Sequence, residues 1–342
     1  MPPRRHSVEK YEYHEAATLA EDRLAWLDRI NGMSEEERAE HYYNEMGWSL
    51  EIPYSRELYK NPTDVRLRRR LRATESLRLI LGYAKTLQAG KYWESQLRFR
   101  LRKSNMKDVR LICVDTDKVR RLPEILPGDW RRRITSFHLG VAIVDTRDIR
   151  DVVQAGIQLP NPSDLIHTYQ FAVQGSGPKK DEFLFGKTEA ISAEDLRAKF
   201  NEWQAGRDVA VIAYSARNDL LTLRDFGILT GDICRIDMAQ AAYIPFQSAS
   251  AQKLEVVMQR LNMQYDKLHV PGNDAHFTMR TFFGLAALDL IREYEYRGYG
   301  PEKIPPWYDL AVKIARSPLP RKGDRRAAST SASGTHGDSK DG

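Results

Sequence analysis

The chain has 342 residues, 42% of them hydrophobic and 29% charged, with a net charge of +6 from 53 basic and 47 acidic side chains. That length suits one large α/β domain with an extension, or two domains. Two cysteines, Cys113 and Cys234, exclude a disulfide scaffold or a four-cysteine zinc module. No run approaches the roughly 18 apolar residues of a membrane span. The opening MPPRRHSVEKYEYHE has no apolar stretch and carries early glutamates, unlike a secretory or mitochondrial leader. An intracellular setting, nuclear or cytoplasmic, is expected, and a polyanionic partner is permitted by the basic balance.

Residues 1–64 read as a helical N-terminal extension: EAATLAEDRLAWLDRI is periodic, and Ser34 with Glu37 forms a capping pattern. Trp26 and Trp48 read as core anchors. Residues 65–108 form a basic segment. From Arg66 to Lys103 there are twelve Lys or Arg against Glu75 and Glu94. Leu67, Leu71, Leu77, Leu81 and Leu87 fall near helical spacing, which predicts an amphipathic helix from Val65 to Gln88 and more helix or a basic connector to Arg102. Its basic side chains, Arg68, Arg69, Arg70 and Arg72 among them, are either a solvated face or a surface that tracks phosphates.

From residue 109 to 300 the pattern is α/β. VRLICVDTD, SFHLGVAIVDT and LIHTYQFAV are three strand-type runs; Asp145 and Asp148 in VDTRDI read as a turn. A helix opens at Ser192 and runs to Gln204. The strand DVAVIAYS, the helical NDLLTLRDFG, the strand CRIDMAQ and two helices near 250–262 and 273–297 follow. Three strands in a meander followed by two alternating with helices predict a mixed five-stranded sheet flanked by helices. GSGPKKDE reads as a loop, FLFG as a packing motif, and His138, Gly140, His167 and His276 as structural residues. Residues 301–316 read as a packing segment, and 317–342, rich in Ser, Gly, Lys and Arg, as a disordered tail.

Three acidic spots stand at element ends. Asp115 and Asp117 are two apart on the first strand, so they share a face with Cα atoms about 6–7 Å apart. Two carboxylates on an apolar strand are costly without a cation between them; the alternative is a solvated strand end. Asp219 begins the helix after DVAVIAYS, where an acid also complements the helix dipole. His269 lies in a Pro-Gly loop, and Asp274 starts the last long helix.

This order, D-x-D, a later Asp, then H-x4-D, resembles the DEDDh group of 3′–5′ exonucleases on the ribonuclease-H-like fold. The run from about 109 to 292 is similar to the fungal exonuclease-like C-terminal domain family associated with suppression of an mRNA-export helicase. LICVDTD, FHLGVAIVDT, DEFLFGKTEAIS, VIAYSARNDLLTL, RIDMAQ and LHVPGNDAHFT carry that likeness. It implies a two-metal hydrolase of single-stranded nucleic acid, RNA favoured over DNA, using Mg²⁺ or Mn²⁺. Asp115 and Asp274 would bind metal, Asp117 takes the place of the family's glutamate, Asp219 is the outer carboxylate, and His269 is the general base. The sequence departs from the pattern at Asp117, one methylene short. It departs again at Lys118, Val119, Arg120 and Arg121, which replace small or polar residues. Lys118, Arg120 and Arg121 become candidate phosphate contacts. Tyr214 stands where the fungal relatives commonly have His. The departures leave a second reading open, a catalytically degenerate RNA-binding or adaptor protein.

Overall fold

A computed structural model describes residues 65–83, 97–125, 133–175, 177–178, 182–229, 233–246 and 251–320. The expected N-terminal helices, Trp26, Trp48, Leu87 and the tail beyond residue 320 lie outside the described residues. In chain order the elements are α1 (Val65–Leu81), β1 (Val109–Arg121), β2 (Ile134–Asp145), α2 (Thr146–Ala155), β3 (His167–Val173), β4 (Thr188–Ile191) and α3 (Ala193–Gln204). Then come β5 (Asp208–Ala213), α4 (Arg217–Asp225), β6 (Cys234–Asp237), the single turns α5 (Met238–Ala241) and α6 (Tyr243–Phe246), α7 (Leu254–Arg260), α8 (Pro271–Tyr296) and α9 (Trp307–Ala315).

The sheet has six strands in the order β4-β3-β2-β1-β5-β6. β1, β2 and β3 form the antiparallel meander, and β5 and β6 add in parallel beside β1. The expected five strands become six because Thr188–Ile191 pairs in parallel with the outer edge of β3. A four-residue edge strand with two exposed side chains has too little alternation to be read from composition. A mixed sheet covered by helices on both faces is the layout that the ribonuclease-H-like likeness implies.

Alternation along β1 divides the core. Leu111 and Cys113 face a cluster built with α1, α8 and α9, while Ile112 and Val114 face a second one closed by Leu196 and Phe200 of α3 and Leu223 of α4. Two local expectations are corrected. VDTRDI is a helix start, because the Asp145 side chain accepts from the Arg147 backbone N–H and caps α2. Residues 97–108 form a small hairpin bridged at Arg100 and Lys107, with Leu101 N–H donating to Met106 C=O, which overturns the reading of more helix and leaves that of a basic connector.

The basic helix is corrected more deeply. From Leu71 to Leu81 every α1 residue but Arg72 is buried, including Thr74, Glu75, Ser76 and Arg78. Its polar side chains are accommodated by bonds inside the molecule. Thr74 Oγ1 reaches the Ala241 carbonyl, Ser76 Oγ the Arg72 carbonyl, and Arg78 makes a two-pronged pair with Asp289 of α8 at 2.8 and 2.9 Å. Such a helix has no solvated stripe over that stretch; it belongs to the core.

Candidate active site

The sheet sets out the site in rows. On the face that looks toward α8, Asp115 of β1 lies opposite Gly140 of β2, which lies opposite Gln170 of β3. The next row is Asp117, His138 and Ala172, and beyond it Arg120 stands opposite Ser136. The first turn of α8 rests directly on the first row. A Cβ added at Gly140 would stand 1.9 Å from the Pro271 carbonyl oxygen, so no other residue lets the helix come so close. Gln170 Oε1 accepts the Gly272 N–H at 2.9 Å, and Leu184 N–H donates to Asn273 Oδ1 at 2.8 Å. These contacts seat the helix start, and with it Asp274, beside Asp115.

Asp219 arrives from the other face. Its helix packs through Leu223 on the second core cluster, but the carboxylate reaches β1 just past Cys113, where pairing with β5 stops. There Thr116 donates to Asp219 Oδ1 twice, from its backbone N–H at 3.0 Å and from its hydroxyl at 2.6 Å. The loop before α8 closes the site: the His269 backbone N–H donates to Asp274 Oδ2 at 3.0 Å, and the His269 side chain is exposed.

The charges of these groups act on one another. Burial holds the Asp115 carboxyl well above the usual range, and Asp219, Asp274 and Asp117 each push it further. Burial also raises Asp219, against the lowering effect of its Thr116 bonds. Asp274 is pushed up to about 6, by burial first; the His269 bond and charge oppose this and Asp117 adds to it. Mutual repulsion of this kind needs proximity, so the four carboxylates occupy one neighbourhood. Metal ligation asks for more than proximity. Among the described residues no three His, Cys, Asp or Glu side chains are gathered tightly enough to hold an ion. The donor chemistry nonetheless suits a hard divalent cation, since it is all carboxylate oxygen. Asp274 Oδ1, buried with no hydrogen-bond partner, is the kind of atom such an ion would satisfy.

The structure therefore brings together Asp115, Asp117, Asp219, His269 and Asp274. Lys118, Arg120 and Arg121 follow on the exposed end of β1, where an irregularity between Asp117 and Arg120 and a left-handed Lys118 (φ 52°) re-aim the strand. The α1 arginines stand apart from this group. Arg69 and Arg72 are exposed, Arg70 lies 3.6 Å over the Tyr243 ring, and Arg68 is in the first turns of the helix. His276 is buried and stacks on Phe185 of FLFG, as a packing role requires; its Nδ1 meets Thr168 Oγ1 at 2.8 Å.

Sequence reasoning missed three things. Thr116, between the two aspartates, positions the outer one. His138, read as packing, is only half-buried and stands opposite Asp117 on the site face. Asp237, at the end of β6, accepts from the Ser215 N–H and caps α5, fixing the loop that leads to Asp219. One pattern was not legible at all: of eight non-glycine residues with positive φ among the described residues, Lys118 lies on β1 just after Asp117, and Ser215, Lys267 and His269 lie in the connections leading to Asp219 and Asp274.

Among known protein families, the model described as DNA polymerase III subunit epsilon-like, C-terminal domain, matches residues 111–285, just over half of the chain and inclusive of all five site residues. No curated protein matches the chain. With the carboxylates and histidine in place on a mixed sheet, that match assigns the chain to the DEDDh exonuclease-like proteins, in the family of DNA polymerase III subunit epsilon-like C-terminal domains.

Proposed function

We propose that this chain is a metal-dependent 3′–5′ exonuclease acting on single-stranded nucleic acid, with RNA ahead of DNA. The observation that carries the reading is the gathering of Asp117, Asp219 and Asp274 about Asp115, whose carboxyl each of them pushes up, with the His269 backbone tied to Asp274. Gathering such a set is costly without a cation, because each buried carboxylate costs stability in proportion to its desolvation. The likeness to the fungal family is what favours RNA. An intracellular, nuclear or cytoplasmic, location accords with that substrate.

Two divalent ions, Mg²⁺ or Mn²⁺, held by the four aspartates, would supply charge stabilisation for the attacking and leaving oxygens of a phosphodiester. The protein's own residues do the rest. His269, exposed on the loop before α8, takes a proton from the attacking water as the general base. Asp219 is fixed in place by Thr116, and Asp274 orients the His269 backbone through the 3.0 Å bond. Lys118, Arg120 and Arg121, exposed beyond the site, hold the phosphates of the strand that enters.

A second reading has its own observation. Asp117 is a methylene short of the exonuclease glutamate, and the described carboxylates do not close tightly enough for an ion. That favours a degenerate protein that binds RNA without cutting it. Incubating the full-length protein with 5′-labelled single-stranded RNA and DNA, in Mg²⁺, Mn²⁺ or EDTA, separates the two. The exonuclease shortens the label stepwise from the 3′ end with metal and not with EDTA. Absence of metal-stimulated cleavage would leave the adaptor reading standing alone.

A further inference from the structure

We propose that the hairpin over residues 97–108 is a second nucleic-acid-binding site, which stacks an unpaired base on Phe99 and holds the neighbouring phosphates with Arg100, Arg102 and Lys103. It deepens the reading above by giving the single strand a hold away from the carboxylates, and it rests on that reading only for the class of ligand.

Phe99 is 64% exposed, and Arg98, Arg100, Arg102 and Lys103 around it are exposed as well. The exposure runs against the local pattern. Leu97 and Leu101, two residues to either side, are buried in the core, so alternation would bury position 99 too. An exposed ring on a short segment that also carries four exposed basic residues can offer a base a flat apolar face and the adjoining phosphates positive charge.

The platform is already formed. The Arg98 N–H donates to Asp208 Oδ2, the Asp108 N–H to the Phe99 carbonyl, and Leu101 N–H to the Met106 carbonyl, each at 2.9 Å. Gln154 Nε2 holds the Lys103 carbonyl at 3.2 Å where Lys103 turns the chain with φ 58°. Little ordering cost therefore accompanies binding. Of the two acids beside the hairpin, Asp108 is engaged by Arg147 at 2.8 Å and Arg207 at 2.7 Å, and Asp208 accepts the Arg98 backbone N–H, which leaves four basic side chains facing two carboxylates.

The site is distinct from the carboxylates. The hairpin enters β1 at Val109, whereas Asp115 and Asp117 lie six and eight residues further on, about 20–26 Å along the strand. A phosphate-tracking role that the sequence spread over the whole basic segment thus concentrates in its last few residues. The preceding helix is mostly interior.

The test measures binding of the full chain to a fluorescein-labelled single-stranded RNA of about 30 nucleotides, in EDTA so that no cleavage intervenes. Phe99→Ala should weaken binding roughly 5- to 100-fold, the share of one stacked base. Phe99→Tyr, which keeps the ring, should bind like the wild type. Arg100→Gln with Arg102→Gln should lower the slope of log affinity against log salt by about 1.4, for two phosphates released. Unchanged melting temperatures confirm that these exposed substitutions leave the fold intact. Binding within twofold of wild type for both the Phe99→Ala and the double variant would overturn the proposal. So would dependence on these residues for binding vesicles of anionic phospholipid but not RNA. The outcome is separable from the exonuclease reading, since cleavage of short oligonucleotides by the wild type in Mg²⁺ or Mn²⁺ tests that reading without the hairpin.

Discussion

Asp117 is where the chain departs furthest from the pattern that its other site residues keep, and its shorter arm has a measurable consequence. If the shortening loosens an active site, Asp117→Glu keeps or raises the rate of metal-stimulated cleavage. Asp274→Asn abolishes it, because an amide of the same size removes charge from the ion-binding set, and His269→Ala lowers it by about 10²–10⁴-fold, the usual share of a general base. Single-turnover kinetics on labelled RNA read all three. Asp274 also makes the metal-free protein sensitive to pH. Its folded-state value is raised to about 6 from 3.8, so the folded state favours the protonated carboxyl. The stability it contributes is complete below the unfolded value and disappears as pH rises through about 6. In EDTA the melting temperature should fall between pH 4 and 7. Asp274→Asn should flatten that fall, and Mn²⁺ should raise the melting temperature more at pH 7 than at pH 5. A wild-type profile identical to that of Asp274→Asn would show that this carboxyl is not strained by its surroundings.

At the scale of elements, the site depends on how closely α8 meets the sheet. Gly140→Ala places a methyl against the Pro271 carbonyl, where backbone rather than a side-chain tip must yield. The expected cost is about 1–3 kcal/mol, or several degrees in melting temperature, together with loss of metal-stimulated cleavage as Asp274 is displaced. A second element-scale outcome concerns α1. Arg78→Ala leaves Asp289, fully buried, without its two-pronged partner, and should cost about 3–5 kcal/mol by denaturant titration. The site's acids were legible in the sequence because Asp115 and Asp117 interrupt the apolar run of β1 and Asp219 and Asp274 stand at helix starts. The central strands were legible because VRLICVDTD and DVAVIAYS are buried runs with clear limits. β4 was not, since TEAI is short and half-exposed. α2 was not, because Asp145 serves a turn and a helix cap equally well from sequence. The buried character of α1 was hidden because Arg78 finds its partner, Asp289, only where the folded chain brings α8 near. Thr116 and His138 were passed over for a different reason: their roles arise from cross-strand and cross-helix register.

For the molecule as a whole, the family match spans residues 111–285, but the core does not stop there. α1 and α9 contribute Leu77, Ile80, Leu310 and Ile314 to the same cluster as β1 and α8, and Ser317 is buried, donating to the Lys313 carbonyl and accepting from the Ser163 N–H. No helix of the described residues is long and apolar enough to cross a membrane. A fragment limited to 109–292 exposes the apolar faces left by both helices. It should lack the cooperative thermal transition shown by 65–320, and calorimetry of the two fragments checks this; equal transitions would mean that α1 and α9 are accessories.

α8 itself is a beam of 26 residues, about 39 Å long, fastened at three stations. One end is seated on Gly140 and Gln170, the far end is bolted to Arg78 through Asp289, and between them Arg280 grips the carbonyls of Gln264, Ala315 and Ser317. A beam held in this way neither pivots nor slides, so Asp274 is a stationary part. The short run from Asp266 to Val270, where Lys267 and His269 are wound in the left-handed sense, is set against that fixed frame, and under the proposed exonuclease chemistry any travel would fall to its exposed histidine.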